Sequence, residues 1–118
     1  MKIVLACVAG LSTTMMMDSM KSVINNSKKL NSDDFQLLAI PVEQLPTEIE
    51  DTDVVLLGPQ VSYKSDFVKS LTEPLKIPYV VIDRETYGSM DGGTVIKKAL
   101  IAQRKQEIKN AEGAKNNV

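Results

Sequence analysis

The 118-residue chain balances 14 lysines and arginines against 15 acids, a formal net charge of −1 that offers no basic footprint for nucleic acid. It contains no histidine, which excludes a Ser-His-Asp triad, a Cys-His pair and any histidine-ligated metal site within the chain. A hydrophobic share of 43% and a charged share of 25% describe an ordinary globular domain, and no apolar run is long enough to span a bilayer.

Met1-Lys2 leads directly into a strand-length run with no long apolar segment of the signal-peptide kind, so a cytoplasmic location is expected. That first run, Lys2 to Ala6, is short and β-branched, as a buried strand should be. It ends at Cys7, the only cysteine, which opens the loop Cys7-Val8-Ala9-Gly10-Leu11-Ser12-Thr13-Thr14. A lone cysteine cannot close an internal disulfide, and the simplest reading makes it a small buried hydrophobe. Its position, however, is that of a reactive group. Strand, tight loop and helix N-terminus in succession gather unpaired amides and the positive end of a helix dipole, an arrangement suited to an anion. A thiol there is expected to ionise more readily than a free one.

Met16, Met20, Val23 and Ile24 then recur at helical spacing, predicting a helix capped by Ser12 or Thr13 and running to about Lys29. The run Met15-Met16-Met17 reads most simply as core filling. Phe35 to Ile40 is the second strand, and the proline-bearing stretch Pro41 to Glu50 fits a short helix or irregular crossover. Asp53 to Leu57 is a third strand, apolar enough to be buried on both faces, and it stops at Gly58-Pro59-Gln60. Tyr63, Phe67, Val68 and Leu71 form the next helical stripe. Tyr79 to Ile82 is the fourth strand, ending at Asp83, with a loop from Arg84 to Met90. Asp91 caps a final helix carrying Val95, Ile96, Ala99 and Leu100 on one face, with Lys97, Lys98, Arg104 and Lys105 mostly solvated. One domain, residues 1–109, is expected to precede a polar, frayed tail, residues 110–118.

Alternating strands and helices imply an α/β domain of three layers, with a parallel sheet covered by helices on both faces. The order 2-1-3-4 follows as the expected topology, with its switch point between strands 1 and 3. Ligands bind beside such a point, at the carboxyl ends of the strands, which sets the Cys7 loop next to Gly58-Pro59-Gln60. The loop lacks the glycines and lysine of a Walker A motif and the Rossmann glycine fingerprint, and no metal or cofactor is expected. It resembles the phosphate loop of low-molecular-weight tyrosine phosphatases, whose fold the whole domain would share. Thr13 stands in the arginine slot and Thr14 supplies the hydroxyl. Without that arginine the loop lacks the bidentate fork that stabilises a transferring phosphoryl group. Such a loop holds phosphate but attacks esters poorly.

The chain also resembles, over nearly its whole length, the IIB component of the lactose/cellobiose class of bacterial sugar phosphotransferase systems. The matching segments are the first strand with Cys7 to Thr13, then Asp53 to Tyr63, then Val81-Ile82-Asp83 and Tyr87 to Gly92. Residues 25–51 match only loosely. Leu11 and Thr14 replace a methionine and a serine common in relatives. The resemblance implies a phosphocysteine at Cys7, a phosphohistidine IIA protein as donor, and as acceptor a sugar held by the membrane IIC component. The sugar would be a β-linked disaccharide such as cellobiose, lactose or chitobiose. The missing histidine then arrives on the donor.

Under this reading the amides of Val8 through Thr13, Ala9 included, cradle the phosphate, and Ser12, Thr13 and Thr14 add hydroxyls. Gly10 would permit close approach or a positive φ, or serve only as a turn residue. Met15 and Leu11 form an apolar collar, and Gln60 and Tyr63 touch a partner or play a structural part. Asp83 and Asp91 read as turn and cap residues. Two alternatives stay open: a cysteine phosphatase, with Arg84 and Asp83 as its arginine and acid, and a non-catalytic anion-binding module.

Overall fold

A computed structural model describes residues 1–8 and 10–116. Six of the first seven residues are apolar, and β1 (Lys2–Cys7) is buried along its whole length. It is the central strand of a four-stranded, wholly parallel sheet in the order β2-β1-β3-β4. β2 (Gln36–Pro41) pairs on one side, with Cys7 opposite Pro41, and β3 (Val54–Leu57) on the other, with Ala6 opposite Leu57. β4 (Tyr79–Val81) closes the far edge. The expected topology and switch point are those observed.

Strand side chains alternate between faces, so the parity of β1 assigns its residues to two cores. Ile3, Leu5 and Cys7 point to the layer of α1 (Leu11–Asn26) and α5 (Gly92–Asn116), where Met16, Met20, Ile24, Val95 and Ala99 meet them. Val4 and Ala6 point to the opposite layer, built on Val42, Leu45, Ile49, Val61 and Val68. That second layer consists of short pieces. Two 3₁₀ turns flank α2 (Leu45–Glu48), and a longer 3₁₀ segment, Pro59–Lys64, leads into α3 (Ser65–Thr72). Prolines sit in the first turns of α2 and of the 3₁₀ segment, where no intrahelical N–H is required. Met16, Met17 and Met20 are core residues, whereas Met15 is exposed.

At the amino end of the sheet, the buried ammonium of Lys2 meets Glu48 Oε2 and Asp51 Oδ1, each at 2.7 Å. Its backbone N–H donates to Asp53 Oδ2 at 2.7 Å, tying β1 to the start of β3. These hydrogen bonds raise the Lys2 pKa against the opposing effect of burial, so the ammonium stays charged inside the fold.

Several sequence expectations are corrected. α1 ends at Asn26 rather than near Lys29, where Ser27 turns into extended backbone. Arg84 to Gly88, expected as loop, is a short helix, α4 (Arg84–Gly88), because the Asp83 carboxylate accepts the Thr86 N–H at 3.0 Å and caps it. α5 continues through Asn116, across the boundary expected after residue 109, so residues 110–116 are helical rather than frayed. Asn117 and Val118 lie outside the described residues. Asp91 caps α5 as expected, accepting from Thr94 N–H at 3.0 Å.

Candidate functional site

The carboxyl ends of β1 and β3 lie side by side, joined by the Gly58 N–H donating to Ala6 C=O at 2.9 Å. A Cβ added to Gly58 would lie 3.0 Å from Cys7 Cβ and 3.0 Å from Gln60 Oε1. Glycine here is therefore a packing requirement of the site rather than a conformational one. Gly58→Ala is expected to displace Cys7 and lower stability by about 1–3 kcal/mol, read from denaturant unfolding.

Cys7 itself is only 1% exposed. It lines a cleft of about 390 Å³ between α1 and β2, together with Gly10, Thr13, Thr14, Met17 and Pro41. The α1 N-terminus faces this end of the fold with no acidic residue in its first turn. Its cap is Gly10, which has no side chain to offer the amides of Leu11, Ser12 and Thr13. Those amides precede the first ladder bond, from Thr14 N–H to Gly10 C=O at 3.3 Å. The expected cap by Ser12 or Thr13 is absent. Thr13 lies three residues into the helix and reaches back instead, its hydroxyl donating to Val8 C=O at 2.7 Å. The Thr14 amide is spent in the helix, and its exposed hydroxyl lies 3.4 Å from Gly10 C=O. Gly10 has φ 160°, extended backbone open to any residue, and an added Cβ would meet nothing within 4 Å. The left-handed backbone expected there as one possibility is not seen. Ala9 lies outside the described residues.

The expectation of an easily ionised thiol is overturned. Burial raises the Cys7 pKa, and the hydrogen bond between its sulfur and Thr13 Oγ1, 3.1 Å apart, lowers it by less. The sulfur belongs to the α1/α5 core, where loss of hydration disfavours the charged form. The resting group is a neutral thiol. Alkylation of Cys7 by iodoacetamide is expected to accelerate with pH and reach half its maximum above the ordinary thiol range. The sign for stability follows. Because the folded state holds the proton more tightly, this contribution is intact below the ordinary thiol pKa and is lost as pH rises from there through the raised pKa of the folded state. Cys7→Ala should flatten that alkaline loss.

Val8 is 57% exposed, Leu11 76% and Met15 48%, so the apolar residues expected as a collar are at the surface, while the cleft that Cys7 lines also carries Asp18 and Lys21. Gln60 and Tyr63 share a second cleft of about 520 Å³ with Ser62, Arg84 and Tyr87. Tyr63, expected on the buried stripe of a helix, is instead 76% exposed on the preceding 3₁₀ segment. The Lys64 ammonium lies 5.9 Å from the Tyr63 ring centroid.

Sequence reading missed Tyr87. It is buried, and its hydroxyl lies 3.4 Å from Thr13 Oγ1, linking the second cleft to the Cys7 site. The only signal was its place in the third matching segment. The phosphatase alternative loses its acid. The Asp83 carboxylate accepts from the Thr86 hydroxyl and amide and pairs with Lys98 at 3.2 Å, which holds its pKa far below the usual carboxylate range. Its carboxylate is engaged as the α4 cap and with Lys98, and Asp83 is not among the residues lining the Cys7 cleft. Arg84 lines the second cleft rather than the one Cys7 lines. Among the described residues no cluster of side chains could hold a metal ion, and no helix is long and apolar enough to cross a membrane.

A parallel α/β domain with a cysteine at a strand end and a helix N-terminus beside it defines a class of phosphate-handling proteins. The family model for the phosphotransferase-system lactose/cellobiose-specific IIB subunit matches residues 2–98, and the chain belongs to that family. Members are phosphotransferase components. The chain is 33% identical over 103 residues to a cellobiose-specific EIIB component of Lactococcus lactis, covering 82% of this chain and 91% of that one. It is 28% identical over 99 residues to an oligo-beta-mannoside-specific EIIB component of Bacillus subtilis, covering 84% and 92% respectively. The solution structure of a cellobiose-specific IIB component from Borrelia burgdorferi superposes with a TM-score of 0.73 at 32% identity. It covers 90% of this chain and 94% of that one.

Proposed function

We propose that this protein carries a phosphoryl group on Cys7, taking it from a phosphohistidine on a IIA protein and passing it to a sugar bound by a membrane IIC component. The observation that carries the reading is the only cysteine of a histidine-free chain, lining a cleft beside a helix start whose cap offers no side chain. Sulfur attacks phosphorus, the S–P bond forms as the P–N bond breaks, and the released imidazole ends with the proton that left the thiol. Positioning and charge stabilisation do most of the work in such a transfer. The amides of Leu11, Ser12 and Thr13 accept the phosphoryl charge at the helix start.

Burial of the sulfur suits a carrier. A neutral, covered thiol resists stray alkylation and oxidation, and it becomes nucleophilic only when a donor brings phosphate to the helix terminus. No arginine lines the cleft, whose charged groups are Asp18 and Lys21, so the site lacks the guanidinium fork that stabilises transfer to water, and the phosphocysteine waits for its acceptor. The exposed collar of Val8, Leu11 and Met15 is the surface a partner covers, with Gln60 and Tyr63 at its rim, and small contacts of this kind release readily. We place the protein in the cytoplasm, where both partners would reach it. For the sugar we propose one of the kinds for which the relatives are named, cellobiose or an oligo-beta-mannoside. The test is incubation with a phosphorylated IIA protein and mass spectrometry of the product. One phosphate on the peptide containing Cys7 is expected, and an unmodified protein would sink the reading.

A further inference from the structure

We infer that Tyr87 is a positioning residue for Cys7, acting through Thr13: its hydroxyl holds Thr13 Oγ1 where that group can turn to serve the sulfur once the thiol proton leaves. The inference deepens the reading of Cys7 as the phosphoryl acceptor and rests on it. Proton counting fixes the resting arrangement. Thr13 Oγ1 has one hydrogen, which is directed at Val8 C=O, an acceptor only, 2.7 Å away. With that hydrogen committed, the 3.1 Å contact with Cys7 is S–H donating to oxygen, and the 3.4 Å contact with Tyr87 is phenol O–H donating to the same oxygen. Thr13 Oγ1 thus donates once and accepts twice, its full capacity.

Attack on a phosphohistidine removes the proton from sulfur and delivers one to the departing imidazole. The sulfur then stops donating and needs a donor. Thr13 is the hydroxyl in reach, and turning its hydrogen from Val8 C=O to the sulfur supplies one without moving a heavy atom. Tyr87 donates to Oγ1 in both states. That bond polarises the Thr13 O–H and keeps its oxygen aimed at the site while the hydrogen swings. Tyr87 is buried, on α4, and belongs to the same core cluster as Cys7, so its hydroxyl is held by packing rather than by a flexible loop.

Cys7 is the only cysteine, so the pH profile of iodoacetamide alkylation reads this thiol alone and requires no partner protein. The result therefore stands whether or not phosphoryl transfer from a IIA protein is observed. Tyr87→Phe removes one oxygen and keeps the packing. It should move the alkylation midpoint upward by about half a pH unit or more, a fraction of one hydrogen bond to an anion. Thr13→Val should move it further, and Thr13→Ser should restore the wild-type profile. The double variant Thr13→Val with Tyr87→Phe should match Thr13→Val alone, since Tyr87 works only through that hydroxyl. A Tyr87→Phe profile superimposable on wild type, or additive shifts in the double variant, would overturn the inference.

Discussion

Cys7→Ser should abolish phosphoryl uptake from a phosphorylated IIA protein, a loss on the order of a thousandfold or more in rate, while leaving the fold intact. Serine is nearly isosteric with cysteine, and its hydroxyl can still donate to Thr13 Oγ1, so the core around β1 loses little. What disappears is a group that can become an anion near neutral pH, because a serine hydroxyl has no comparable route to ionisation without a base, and the chain has no histidine to act as one. Rate is measured as phosphorylated protein formed per unit time by mass spectrometry, with circular dichroism as the control for folding. The same variant distinguishes the carrier from an anion-binding module. A module that only holds phosphate at the α1 N-terminus would bind inorganic phosphate equally well with serine at this position, and transfer from IIA would not depend on the sulfur. Undiminished phosphorylation of the serine variant would reject the carrier reading outright.

Gly92→Ala should cost about 2–4 kcal/mol and lower the thermal midpoint on the order of 10 °C, although it exchanges a poor helix former for the best one. Gly92 is the first residue of α5, and an added Cβ would lie 2.5 Å from Ser19 Oγ and 2.7 Å from both Met20 N and Ser19 C. The obstacle is mostly α1 backbone, which cannot turn aside as a side-chain tip can. The contact is also hydrogen-bonded. Ser19 Oγ donates to Met90 C=O at 2.7 Å and accepts from Gly92 N–H at 3.0 Å, so separating the helices breaks both bonds. Gly93→Ala is the internal control. Its Cβ would meet only Asp91 Oδ1 at 3.6 Å and Val23 Cγ2 at 3.9 Å, ordinary contacts, so gain in helix propensity should leave it neutral or slightly more stable. Equal stabilities for the two variants, measured by thermal unfolding, would contradict the close approach of α1 and α5. Because α1 also carries Thr13, Gly92→Ala should disturb the Cys7 alkylation profile as well.

Much of the site was legible because its parts are local. A six-residue strand, apolar after its first lysine and ending in a cysteine, and a hydroxyl-rich entry to a helix lie within the first fourteen residues. Right-handed crossovers between parallel strands leave few topologies, and the order expected among them brings the Cys7 loop to Gly58. Even the face to which Cys7 points is implied by parity with Ile3 and Leu5.

Local sequence misjudged what each polar group does at the site. Thr13 reads as a cap because hydroxyl residues at helix starts commonly accept amide hydrogens, yet here it donates to Val8 C=O and contacts the sulfur. The partner that completes its bonding, Tyr87, is 74 residues away. Arg84 to Gly88 reads as loop because five residues carry too little periodicity to announce a helix, and the Asp83 cap decides it.

The sequence by itself determined the α/β class, the order of the strands, the family and the identity of the one residue able to form a thiolate. Only the tertiary structure decided that this sulfur rests as a covered, protonated thiol and that a tyrosine from the far end of the chain reaches its threonine. The physical reason is that ionisation depends on the water and dipoles surrounding an atom, and these come from residues brought together by folding, whereas periodicity and chain order are properties of neighbours along the chain.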